Sequence, residues 1–274
     1  MTKIKNFSQQ KPVLFSLVIC CISFLFLKGS GLLFSVLPDN TLMNVVDELF
    51  CMLWPVALSL LCGFRFIYMS KGFGSTLKAG MAVFVWYLFT LVVNILNAVL
   101  VTHAEWQTFP VILVGVLAMI GIGVREEVIF RGIIGNSLAL KHGTDKKGLW
   151  FAVLVSSALF GIVHITNIFN GVEVLGLIAQ IIGAFAAGLL YTAIYLRGGN
   201  IWFLVLIHAL TDAAGLFVST FTVTTVSEVD QVSNLNIVGA LILVCVDICL
   251  SLFLLRKSKL PAVLARLEQM RAQV

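Results

Sequence analysis

The fold the sequence predicts is an all-α, polytopic membrane protein of about eight transmembrane helices around a buried polar site, and three observations predict it. Hydrophobic residues make up 60% of the 274-residue chain and charged residues only 11%. The resulting mean hydropathy of +1.06 lies outside the range of water-soluble domains. Apolar stretches approaching the roughly 20 residues that a helix needs to cross a hydrocarbon core recur along the whole chain. Finally, Arg125, Glu126, Glu127 and Arg131 interrupt one of these stretches, in "IGVREEVIFRGII". An ionisable group at that depth costs roughly 2.5–3.5 kcal/mol on insertion scales, so the cluster must be compensated by partners, water or a function.

The apolar segments fall at about 13–37, 49–68, 79–101, 109–140, 149–167, 174–196, 200–221 and 235–255. The polar stretches between them are too short for a separate soluble domain. Basic residues gather before the first segment (Lys3, Lys5, Lys11), around the second loop (Arg65, Lys71, Lys78), in the fourth (Lys141, Lys146, Lys147), at Arg197 in the sixth, and after the last segment (Arg256, Lys257, Lys259). The alternate loops carry acids: Asp39, Asp47 and Glu48, then Glu105, Glu173, and Glu228 with Asp230. This alternation predicts a multi-pass protein of the cell membrane with both termini cytoplasmic. It also accounts for the net charge of +5 without a nucleic acid partner; the partner it implies is the lipid bilayer.

The first segment resembles a secretory signal in its basic start, but no A-x-A site follows and apolar character resumes at Leu32, so it reads as an uncleaved anchor. At the other end Leu260, Val263, Leu264, Leu267 and Met270 recur at helical spacing with Arg266 and Arg271 between them. This pattern fits a short basic helix on the inner leaflet or a frayed tail. The six cysteines show no paired CxxC spacing and read as small buried hydrophobes. Gly183-x-x-x-Ala187 and Ala184-x-x-x-Gly188 suit close helix packing. The chain divides into N-terminal membrane helices (1–108), a core carrying the charged motifs (109–221), and a last span with its basic tail (222–274).

Within the core, Glu127 and Arg131 are four apart with the acid first, the favoured order for an ion pair on one helix face. Glu126 lies about 100° round the same helix and is left available. A structural clamp between helices and a catalytic carboxylate both fit this pattern. The next segment holds "FGIVH", with Phe160 and His164 on one face. Glu126 lies 15 residues before the hairpin at 141–148 and His164 lies 16 after it, so at 1.5 Å per residue both sit roughly 23 Å from the tip. "HALTD" places His208 and Asp212 at the same spacing, where the carboxylate can fix the tautomer of the imidazole. His208 is only about eight residues past the loop at 198–200. Level alignment with Glu126 therefore requires the 141–148 hairpin to project by about two helical turns.

With "EEVIFR", "FGIVH" and "HALTD" in this order on successive apolar segments, the chain resembles the CAAX-protease and bacteriocin-processing (Abi) family of membrane peptidases. The resemblance covers roughly 109–221. It implies an intramembrane endopeptidase whose site opens to the cytoplasmic side and whose substrate is a peptide or protein, lipidated or not. In it Glu126 is the general base, His164 helps to hold the water, and His208 with Asp212 stabilises the oxyanion. Glu127 joins these as the carboxylate paired with Arg131, and Phe160 supports His164. The family is described both as metal-dependent and as acting through glutamate and histidine alone. In the first case a zinc ion takes His164, His208 and Glu126. The missing HExxH pattern favours the second.

Other polar residues fit lesser roles. His103 and His142 fall in loops, Lys28 and Arg65 can snorkel, and Asn94, Asn97 and Gln180 suit bonds between helices. Asp247, inside "VCVDICL", reads as a structural hydrogen bond or ion pair. Two rival functions remain open: a transporter with its charged cluster lining an ion path, against which the lack of inverted repeats counts, and a non-catalytic scaffold or immunity protein.

Overall fold

Each of the eight apolar segments is mostly helical over its described residues, with a break at 62–64 in the second and at 216 in the seventh. The computed structural model describes residues 3–34, 41–68, 72–223 and 234–273, with the side chains of 28, 31–34, 41–45, 48, 170 and 234–238 excepted. Asp39, Lys71, Glu228 and Asp230 of the loop-charge pattern lie outside the described residues, as do the side chains of Lys28 and Glu48.

The chain runs through α1 (Lys3–Gln10), α2 (Pro12–Phe34), α3 (Thr41–Leu61), α4 (Phe73–Leu100), α5 (Phe109–Glu127), α6 (Asn136–His142), α7 (Lys146–Val163), α8 (Val174–Gly198), α9 (Ile201–Gly215), α10 (Phe217–Phe221), α11 (Asn234–Leu254) and α12 (Leu260–Arg271). Among the described residues four stretches are long and apolar enough to cross a membrane: Phe73–Leu100, Phe109–His142, Lys146–Phe169 and Val174–Gly198. A fifth is added if α1 and the Pro12–Leu27 part of α2, bent by 119°, form one span. The described parts Leu49–Leu61, Ile201–Gly215 and Gly239–Leu254 are shorter apolar helices. Among the described residues the only β-pairing is one antiparallel bridge between Trp106 and Thr222.

Two segments depart from the uniform α-helices that their spacing predicts. After Glu127 the α5 rod widens into a π-helix over Val128–Gly135, buried at every residue, before α6 resumes. A π-turn bonds i to i+5 and leaves carbonyls poorly served, so it survives where neighbours compensate. Here Ser156 of α7 donates to the Phe130 carbonyl at 2.9 Å and Asn136 donates to the Gly132 carbonyl at 2.9 Å. Asn136 also reaches the Tyr195 hydroxyl of α8 at 3.0 Å. Likewise α7 stops at Val163, and His164 opens a 3₁₀ helix, His164–Asn170.

Short turns set the register of the core helices. Asp145 caps α7 by accepting from the Gly148 amide at 2.8 Å. Between α8 and α9, Gly199 takes a left-handed conformation with φ of 80°, which a residue without Cβ adopts at little cost. Asn200 then caps α9 by accepting from the Phe203 amide at 3.0 Å. The turn is pinned to the start of α4, where Thr76 Oγ1 accepts from the Asn200 amide at 3.1 Å.

The C-terminal helix α12 does not present its apolar face to lipid. Val263, Leu267 and Met270 are buried in the largest apolar cluster, together with Leu138 and Ala139 of α6 and Phe15 of α2. Arg271 donates to the Leu140 carbonyl at 2.8 Å and the Gly143 carbonyl at 3.0 Å, closing the end of α6. An amphipathic basic helix reads alike for a lipid surface and a protein groove, and here the open carbonyls of α6 supply the groove. The small-residue pairs of α8 also divide. A Cβ built on Gly188 would press on Ser157 of α7 at 3.0 Å, whereas one on Gly183 would meet nothing within 4 Å. Only the former is a close-packing position.

Candidate active site

Glu126 and Glu127 end α5 at the point where the helix widens. Glu127 is wholly buried, and its Oε1 accepts from Arg131 Nη1 at 2.8 Å. The same oxygen accepts from His208 Nδ1 of α9 at 2.7 Å. The carboxylate that orients His208 is therefore Glu127, 81 residues earlier in the chain. Asp212, to which its spacing assigns that task, sits with Oδ2 3.8 Å from His208 Nε2, beyond hydrogen-bonding distance.

Arg131 is held by more than its ion pair. The guanidinium carbon lies 4.3 Å from the centroid of the Phe160 ring and 5.3 Å from that of Tyr191. Two of its nitrogens, Nε and Nη2, have no hydrogen-bond partner among the described residues. Aromatic faces on two sides offset part of that cost by cation–π attraction. Phe160 also stands edge-on to His164, with centroids 5.1 Å apart, and 6.2 Å from His208. It thus packs against the buried guanidinium and both imidazoles at once.

Glu126 has a different environment. Its side chain is 19% exposed, with Oε2 3.6 Å from His208 Nε2 and Oε1 3.9 Å from Arg125 Nη2. His164 points its Nδ1 at the Phe160 carbonyl at 2.8 Å. A carbonyl only accepts, so this nitrogen carries the proton, and Nε2 offers its lone pair when the ring is neutral. Glu126, His164, His208 and Asp212 all line one cavity of about 560 Å³ between α2, α5, α7 and α9. The bond from His208 to Glu127 sets the level of the two helices. Because Glu127 lies 15 residues before His142 and His208 eight after Asn200, the α5–α6 rod runs on about 10 Å past the α8–α9 turn. This is the projection that the residue count requires, and α12 packs beside it.

The fit to zinc fails as the side chains stand. Among the described residues no three His, Cys, Asp or Glu form a group able to hold a metal ion, and His208 Nδ1 is already engaged by Glu127. A four-ligand or three-ligand zinc site needs donors converging at about 2 Å from one point.

One participant was not legible from its spacing. Tyr191 backs Arg131 and donates or accepts at Thr211 Oγ1, 2.5 Å away, yet a tyrosine in an apolar helix carries no diagnostic pattern. Arg125, buried beside Glu126, belongs to the same cluster. Asp247 has no hydrogen bond or ion pair among the described residues, contrary to the structural role its position suggests; it lines a second cavity that also touches His164, His208 and Asp212. Gln180 and Asn94 do bond between segments, to Asn167 at 2.9 Å and to the Ala214 carbonyl at 2.9 Å.

No curated protein and no solved structure matches this chain. Residues 106–214, which carry the glutamate pair and both histidines, match the family described as type II CAAX prenyl endopeptidase, Rce1-like. Over that stretch the chain is similar to the CAAX-protease family that its motifs resemble.

Proposed function

We propose that the chain is an intramembrane endopeptidase that hydrolyses a peptide bond with a glutamate-activated water. The observation that carries this reading is the division of labour between adjacent acids. Glu127 is spent on Arg131 and His208, while Glu126 faces the shared cavity without a hydrogen bond among the described residues. The family implies CAAX-type intramembrane protease activity; the mechanism is read from the side chains.

Water in the cavity donates one proton to Glu126 and one hydrogen bond to His164 Nε2, leaving an oxygen lone pair for the scissile carbonyl. His208, doubly protonated between Glu127 at Nδ1 and Glu126 and Asp212 beyond Nε2, donates from Nε2 to the oxyanion. Glu126 then returns its proton to the leaving nitrogen as the C–N bond breaks. Glu127, Arg131 and Phe160 hold the imidazole in place. Asp212 keeps negative charge near His208 without bonding it, so its part is electrostatic.

In this reading residues 109–221 form the catalytic core, residues 1–108 the helices that flank it, and 222–274 the closing span and its docked tail. The eight apolar helices all cross the membrane, with both termini cytoplasmic. The substrate is a peptide or protein, prenylated or not, that reaches the bond from the bilayer or its inner face. No metal takes part.

The test is hydrolysis of a quenched peptide library by the purified chain in ¹⁸O-water. The expected result is one ¹⁸O in each new C-terminal carboxylate, at a rate that zinc chelators leave within about twofold, since no metal-bound water is involved. Absence of cleavage across the library, or loss of cleavage with chelator and recovery with zinc, contradicts the proposal.

A further inference from the structure

Resting on the peptidase reading, we propose that Asp247 is a specificity-determining residue that binds a cationic side chain, lysine or arginine, of the substrate peptide beside the scissile bond. Asp247 belongs to α11, outside the residues that match the family. It lines a cavity of about 300 Å³ between α4, α8 and α11. That cavity meets the one in front of Glu126 along a common wall of His164, Gln180, His208 and Asp212. A peptide whose carbonyl lies at His208 therefore has room on the far side of the imidazoles for one neighbouring side chain.

The walls of this second cavity suit a cation. Tyr87, Tyr191 and Phe160 contribute aromatic rings, which attract a cation over their faces. Asp247 supplies a carboxylate that has no hydrogen bond or ion pair among the described residues, and an unpaired acid inside the membrane is costly unless something answers it. Across the two cavities and the buried pair, four acids (Glu126, Glu127, Asp212, Asp247) face two arginines (Arg125, Arg131). A doubly protonated His208 still leaves the cluster one positive charge short, and a substrate cation makes up the difference. The room comes from small residues: a Cβ on Gly183 would meet nothing within 4 Å, and Ala240 of α11 lines the same space. This explains why the small-residue pattern of α8 does not end in close packing at Gly183.

The experiment uses the full chain in detergent with peptides identical except at one position, swept through the residues flanking the cleaved bond and filled with lysine, arginine, norleucine or glutamate. At one position the basic residue raises kcat/KM over norleucine by about tenfold or more. Asp247→Asn brings that ratio to within about twofold of unity, and Asp247→Lys moves the preference to glutamate. A merely structural role for Asp247 would lower all peptides together and leave the ratio unchanged. Either that unchanged ratio, or a wild-type enzyme with no basic preference at any position, overturns the proposal. Binding of the same peptides to wild type and Asp247→Asn, read by fluorescence anisotropy, gives the same comparison without turnover. If no peptide is cleaved, the hydrolase reading fails, and the binding ratio still decides the role of Asp247.

Discussion

Glu126→Gln is expected to lower kcat for peptide hydrolysis by about a thousandfold or more while the protein unfolds within about 1 kcal/mol of wild type. An amide of the same shape accepts a hydrogen bond from water but cannot take its proton. The step that makes the nucleophile is then lost while the cavity keeps its form. Stability is preserved because Glu126 holds no hydrogen bond among the described residues and its nearest charged neighbours are 3.6 and 3.9 Å away. The readouts are single-turnover rate and thermal unfolding in the same detergent. A variant retaining a tenth of the activity would move the base elsewhere, and Asp212 would be the first place to look. Retained biological activity with Asp247→Asn abolishing it would instead bring forward transport or scaffold roles.

The largest stability effect is expected at Arg131. Arg131→Ala leaves Glu127 wholly buried with one of its two partners gone, and breaking a buried pair in this way typically costs about 3–5 kcal/mol. It also removes the cation between Phe160 and Tyr191. His208, deprived of a fixed carboxylate at Nδ1, loses its orientation, so activity falls along with stability. Arg131→Lys recovers only part, because an ammonium cannot stack between two rings as a planar guanidinium does. Unfolding in detergent, together with the activity of whatever fraction remains folded, separates these outcomes. Wild-type stability in Arg131→Ala would mean that the Glu127–Arg131 bond contributes nothing to the site.

Much of this arrangement can be read in the sequence because charges are conspicuous against an apolar background. Glu127 and Arg131 meet as their four-residue spacing predicts, since that spacing brings the two tips together even where the backbone widens. What escapes is whatever depends on a distant segment. The partner of His208 comes from α5 and not from its own helix, because a contact across 81 residues leaves no local spacing to read. The π-turn over Val128–Gly135 depends on Ser156, a side chain of α7 that bonds its Phe130 carbonyl. Docking of α12 depends on the bare end of α6. Depth was recoverable only as a condition, that the 141–148 hairpin project, and the contact between α5 and α9 meets it.

The central claim is that one water molecule sits between the Glu126 carboxylate and the free nitrogen of His164, with His208 Nε2 aimed at the peptide carbonyl. An experimental map of the Glu126→Gln protein with a bound peptide, at a resolution that shows ordered solvent, tests it most directly. The account predicts a solvent peak within about 3 Å of the residue-126 side chain and of His164 Nε2, with the peptide carbonyl oxygen on His208 Nε2. A peptide lying away from the 560 Å³ cavity, or imidazoles turned to opposite sides of α9, would contradict it.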